Sequence, residues 1–284
     1  MQETVVNFGP TDNQGTGKLF GILTTPDADK KVAGAPIALI LNAGIVHRVG
    51  PFRLHVDIAR QLAESGYTTM RVDISGLGDS APRTGEIDGE ADRATLDASD
   101  AMDHLTETTG VNKFVLLGLC SGAFNAHKVA RKDDRIVGSV FLDGIVFPTF
   151  GYFVRHKVMR LLRPRFWRNA IKRRFAAASF DEVDAAANTL AEDEFFAGEL
   201  TQAEVTSDLQ GLVERGVQML FVYTDGYADV CGRSQFKEMY GLEPGDGQIQ
   251  VEYYPKSEHT FRLIENRRIT CDRVTTWFES RFAV

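Results

Sequence analysis

The chain has 284 residues, 43% hydrophobic and 25% charged, which suits one large α/β domain with an insertion, or two small domains, and excludes a disordered chain. Its net charge of −7 excludes general nucleic-acid binding, which needs a basic surface to displace counterions. Residues 1–16 carry Glu3, Asn7, Asp12 and Asn13 where a secretory leader needs an apolar run, and no stretch of about 18 uncharged apolar residues occurs. The three cysteines, Cys120, Cys231 and Cys271, are odd in number and lack metal-ligand spacing. A reduced, cytoplasmic protein without metal, cofactor or membrane span is therefore expected, with its oligomeric state left open.

Short β-branched apolar runs alternate with helical patterns, the mark of a mostly parallel sheet with helices on both faces. Thr4–Phe8 and Lys18–Thr24 predict a hairpin, and Ile37–Leu41 a buried strand. Leu54, Ile58 and Leu62 then recur at helical spacing up to Gly66. Thr68–Val72 is the next strand, Leu96–Leu105 a helix, and Phe114–Leu117 a strand followed by a helix from Ala123. Ile136–Leu142, Gln218–Tyr223 and Gln248–Tyr254 complete roughly eight strands, and Ile269–Phe282 closes the chain as a helix. Residues 147–214 break the alternation with helical patterns alone. They read as a helical lid inserted between the core segments 1–146 and 215–284.

Charge is segregated within this insertion. Gly144–Phe180 holds nine Lys or Arg residues and no acid, and Asp181–Asp208 nine acids and no Lys or Arg. The two halves can simply pair with each other and keep solvated faces. Alternatively, a basic face containing Arg160 and Arg163 binds an anionic or carrier-linked substrate.

The strongest chemical signal is Gly118-Leu119-Cys120-Ser121-Gly122, set directly between a strand and a helix. A sharp strand-to-helix turn exposes its central side chain and needs very small residues two positions to either side. Centring the turn on Ser121 would place Leu119 in one of those positions, so the register selects Cys120 as nucleophile. A thiolate needs a partner base, expected later in the chain. His259 alone among the six histidines lies in a loop between the last strand and the closing helix. His104 and His127 fall on helices as packing or surface residues, and His47 follows the wrong strand. For the acid, Asp229 is favoured over Asp225 because it lies far enough beyond the strand to turn back toward the imidazole. Asp143, at the end of the preceding strand, is the third candidate. The backbone N–H of Ser121, just past the nucleophile, and that of Ile45 in the loop Asn42-Ala43-Gly44-Ile45 are the expected oxyanion donors. Asp73-Ile74-Ser75-Gly76-Leu77-Gly78-Asp79-Ser80 reads as scaffold, since it lacks the Lys-Ser/Thr ending of a phosphate loop.

With these residues the chain resembles the α/β-hydrolase superfamily, in particular its serine-aminopeptidase-like branch. Asn42-Ala43-Gly44 with Arg48 and Gly50-Pro51, Asp73 to Ser80, the elbow, and His259-Thr260-Phe261 carry the likeness over nearly the whole length. The Gly-Leu-Cys elbow and Arg160-Leu161-Leu162-Arg163-Pro164-Arg165-Phe166-Trp167-Arg168 are similar to the bacterial hydrolases associated with the exosortase system. That resemblance implies a Cys-His-Asp triad without fixing a substrate. The leading expectation is acyl transfer from a small-molecule ester or thioester, free or carrier-linked, as a thioesterase, esterase or acyltransferase. A lyase that eliminates a carboxylate from an acylated metabolite, and a non-catalytic binding protein on the same fold, are the alternatives.

Overall fold

The computed structural model describes residues 1–11, 15, 17–83, 89–152, 154, 200–225, 230, 232–245 and 247–283. The expected hairpin is β1 (Gln2–Thr11) and β2 (Gly17–Thr25), paired antiparallel. The strands that follow are β3 (Ile37–Ile40), β4 (Thr69–Asp73), β5 (Phe114–Leu119), β6 (Ile136–Leu142), β7 (Gln218–Thr224) and β8 (Ile249–Tyr254). They form one eight-stranded sheet in the order β1-β2-β4-β3-β5-β6-β7-β8. β2 meets β4 antiparallel, and every pairing from β4 through to β8 is parallel. The α/β class and the roughly eight strands expected from sequence are the ones present.

Helices cover both faces, which is why the inner strands read as unbroken apolar runs rather than alternating ones. α1 (Leu54–Glu64) and α6 (Ile264–Phe282) pack on one side, where Leu54, Ile58, Leu62, Trp277 and Phe278 meet Val115, Leu117 and Leu220. α2 (Gly89–Thr109), α3 (Ser121–Ala130), α4 (Gln202–Glu214) and α5 (Ser234–Tyr240) cover the other. Gly66 ends α1 at φ 94°, where a Cβ would lie 2.2 Å from the Lys30 carbonyl oxygen, so glycine is required by both backbone and space.

α4 begins with a capping box. The Glu204 N–H donates to Thr201 Oγ1 at 3.2 Å, and the Thr201 N–H to Glu204 Oε2 at 2.7 Å. Its Val205, Leu209 and Leu212 are buried in the main core, so this helix is the crossover between β6 and β7. The sequence had grouped it with the insertion of residues 147–214. Asp208 on α4 lies 3.1 Å from Arg131, which caps the C-terminal end of α3, and so ties this helix to the core. Arg160 and Arg163 lie outside the described residues. Among the described residues no helix is long and apolar enough to cross a membrane.

Candidate active site

The parallel strands end at one edge of the sheet, and the chemistry-bearing side chains collect there. Between β5 and α3, Cys120 adopts φ 56° and ψ −119°, a conformation that costs a non-glycine residue on the order of 1–3 kcal/mol. The Cys120 N–H donates to the Leu142 carbonyl at 3.0 Å, and its own carbonyl accepts from Ala123 and Phe124 at 3.0 and 3.2 Å. These bonds fix the strained residue between a strand and the first turn of a helix. A Cβ on Gly118 would lie 2.1 Å from the Gly122 carbonyl carbon, and one on Gly122 would lie 2.4 Å from the Asn42 carbonyl oxygen. The two flanking glycines are therefore steric requirements of the turn, as their spacing implied.

His259 stands in the loop between β8 and α6. The loop is held by Phe261, fully buried at φ 53°, whose N–H donates to the Glu258 carbonyl at 3.0 Å. One ring nitrogen, Nδ1, lies 3.0 Å from Asp143 Oδ2, and the ring also hydrogen-bonds with the Cys120 side chain. Burial alone would lower the imidazolium pKa. The hydrogen bonds to Asp143 and Cys120 and the negative charge they supply outweigh it, and the pKa is pushed up to about 10.

Asp143 follows β6 at φ 43° and is completely buried. Its Oδ1 accepts from the Thr224 N–H at 2.7 Å, and its Oδ2 accepts from the Thr224 hydroxyl at 2.7 Å as well as facing the imidazole. A buried carboxylate is tolerable only with such a full set of donors.

The acid beside the histidine is thus Asp143, the third of the three candidates. Asp229 lies outside the described residues. Asp225 is exposed and accepts from the Tyr253 hydroxyl at 2.8 Å. Thr224, which orients Asp143, was not anticipated. Only the pairing of β6 with β7 brings the two residues together, and nothing local to either residue announces it.

Ser121 opens α3, so its N–H has no acceptor within the helix. The loop after β3 reaches it through Gly44, whose N–H donates to Ser121 Oγ at 2.6 Å. Ala43 to Val46 form a tight turn closed by a 3.0 Å bond from the Val46 N–H to the Ala43 carbonyl, and the Ile45 side chain on that turn is 86% exposed. Three other described histidines have different surroundings. His104 packs against Phe8, His127 is buried 3.4 Å from Asp208, and His55 is buried beneath Gly50.

The loops after β3 and β4 are locked together by buried Asp73. It accepts from the Arg48 N–H at 2.6 Å, Arg48 Nη1 at 2.5 Å, the Asp79 N–H at 3.1 Å and Asn42 Nδ2 at 3.3 Å. Arg48 also lies over the Phe20 ring at 4.3 Å. This knot holds the Asn42–Val46 loop against the elbow, which is the scaffold role read for Asp73–Ser80.

A strained elbow after a parallel strand, with a histidine loop after the last strand, defines the α/β-hydrolase class. The family model for the alpha/beta hydrolase fold matches residues 37–211, and the chain belongs to that family. No curated protein matches it. Solved structures share the fold at low identity. An esterase of Pyrococcus furiosus is 13% identical, with a TM-score of 0.61 over 100% of this chain and 92% of that one. The hydrolase GrgF of a Penicillium species is 17% identical, with a TM-score of 0.60 over the whole of both chains. A lidless serine hydrolase of Xanthomonas campestris is 13% identical, with a TM-score of 0.56 over 100% of this chain and 95% of that one.

Proposed function

We propose that the protein is an acyl-transfer enzyme that acts on a small-molecule ester or thioester through a Cys120-His259-Asp143 triad. The observation that carries this reading is His259 held between the elbow cysteine and a buried carboxylate. His259 is favoured in its protonated form by its hydrogen bonds to Asp143 and Cys120. It is well suited to stand beside a thiolate as its imidazolium partner. In this reading Asp229, favoured on sequence, gives way to Asp143 as the acid.

The Cys120 sulfur attacks the carbonyl carbon, forming a C–S bond and moving the carbonyl π electrons onto oxygen. The oxyanion is received by the Ser121 N–H, with Ile45 in the adjoining turn as the second backbone donor. Collapse breaks the bond to the leaving alcohol or thiol, which departs with the proton of His259. Water or another acceptor then gives its proton to His259 and attacks the thioester, which releases the Cys120 thiolate. A thioester exchanges readily with thiolate, which favours thioesters and activated esters over amides. Exposed Ile45, Phe150, Leu263 and Ile264 lie in the segments that follow β3, β6 and β8, up to the first turn of α6, and they suit an apolar acyl group.

Turnover of a p-nitrophenyl ester and of a thioester by wild type, Cys120→Ala and His259→Ala tests the reading. Both variants should remain folded and lose at least about 1,000-fold in kcat, with only His259→Ala lowering the melting temperature as its ion pair with Asp143 is lost. Retention of activity by either variant would remove that residue from the mechanism.

A further inference from the structure

The contact between Gly44 and Ser121 is not used by the triad, yet it lies one residue from the nucleophile. The Gly44 N–H donates to Ser121 Oγ at 2.6 Å, so this hydroxyl is an acceptor in that bond. A serine hydroxyl that accepts one hydrogen bond still has its own proton to donate, and accepting polarises that O–H and strengthens its donation. The same residue already offers its backbone N–H at the start of α3. A β-turn closed from Val46 to Ala43 fixes the Gly44 N–H, and the Asn42 side chain braces the turn by donating to the Val46 carbonyl at 3.0 Å. The hydroxyl is thus pinned between the oxyanion loop and the elbow, with partial positive charge from the helix terminus beside it.

We infer that Ser121 is a further catalytic residue, whose side-chain hydroxyl, held by the Gly44 N–H, donates a hydrogen bond to the oxyanion alongside the Ser121 N–H. No bond to Ser121 is made or broken. The hydrogen bond from its hydroxyl shortens as negative charge develops on the substrate oxygen, and relaxes when the carbonyl re-forms. The effect is confined to reactions that build charge on a carbonyl oxygen. The inference rests on acyl transfer at Cys120, and two separate reactions of the same thiol distinguish the two ideas.

The first reaction is acylation by p-nitrophenyl acetate, read as nitrophenolate release and as acetyl on Cys120 by peptide mapping. The second is alkylation of Cys120 by iodoacetamide, a displacement at saturated carbon that forms no oxyanion. Ser121→Ala should lower the acylation rate on the order of 100-fold and leave the alkylation rate at its wild-type value, and Ser121→Thr should recover most of the loss. Acylation of Ser121→Ala at the wild-type rate would overturn the inference. So would a parallel fall in alkylation, which would show that the hydroxyl only shapes the elbow. A wild-type enzyme that leaves no acetyl on Cys120, yet alkylates there normally, would instead overturn acyl transfer itself.

Discussion

Asp143 and Asp225 stand at the ends of the neighbouring strands β6 and β7, and their surroundings separate their roles. The first is fully buried, with two donors from Thr224 and the His259 ring on its oxygens; the second is exposed and touches only Tyr253 and backbone in its described contacts. Replacing Asp143 by asparagine removes the charge that holds the imidazolium and leaves an amide where a donor-only environment expects an acceptor. Asp143→Asn should therefore lower kcat by about 100- to 10,000-fold, while Asp225→Asn stays within a few-fold of wild type on the same ester. A larger loss in Asp225→Asn would return the acid to the loop after β7. The two other cysteines are differentiated in a similar way. Burial, and then the nearby Asp57 and Asp272, push the Cys271 thiol up to about 12, so it is no competitor for electrophiles; Cys231 lies outside the described residues.

At the scale of elements, the β5–elbow–α3 unit was legible because its requirements are local. Gly118, Cys120 and Gly122 sit at fixed offsets in one chain segment, and each glycine answers a clash that can be foreseen from the turn alone. Gly118→Ala drives a methyl to 2.1 Å from backbone that cannot retreat, so it should destabilise the fold by about 1–3 kcal/mol and lower the melting temperature; an unchanged melting temperature would show that the elbow can relax. The histidine was legible for the same reason, since only His259 follows the last strand. The acid was not, because its choice depends on which strand end faces His259. The pairing of Leu142 with Val222 sets that, together with the 2.8 Å bond from the Asp143 N–H to the Val222 carbonyl, both between residues about 80 positions apart. α4 reads with the insertion in sequence because a helical pattern does not say against what its apolar stripe packs, here Val205, Leu209 and Leu212 in the core. α5 is only Ser234–Tyr240, too short for a periodic signal, although Phe236, Met239 and Tyr240 bury it firmly in the core.

Across the whole molecule, two buried histidines and the partly buried His259 shape stability on both sides of neutrality. Burial lowers His55 and His127 to about 4, while the unfolded chain binds those protons near 6.5. Both sites therefore favour the folded state above pH 6.5 and lose that contribution as the pH falls toward 4. His259, raised to about 10, contributes fully below 6.5 and loses its contribution as the pH climbs through 10. Urea denaturation across pH 4 to 10 should show stability falling at both ends. His127→Gln should flatten the acid limb and His259→Gln the alkaline one; unchanged limbs in these variants would assign the pH dependence to other groups. The sheet, the two helical layers and the Asp73 knot all converge on one edge, where the thiol, imidazole and carboxylate meet. The most direct test of that convergence is to mix the protein with p-nitrophenyl acetate, quench in acid before turnover completes, and map the acetylated peptide. Acetyl on Cys120, lost in Cys120→Ala and accumulating more slowly in His259→Ala, is the result expected. Acetyl on Ser121 or on Cys271, or an unmodified Cys120 in a protein that still releases nitrophenolate, would contradict a cysteine nucleophile.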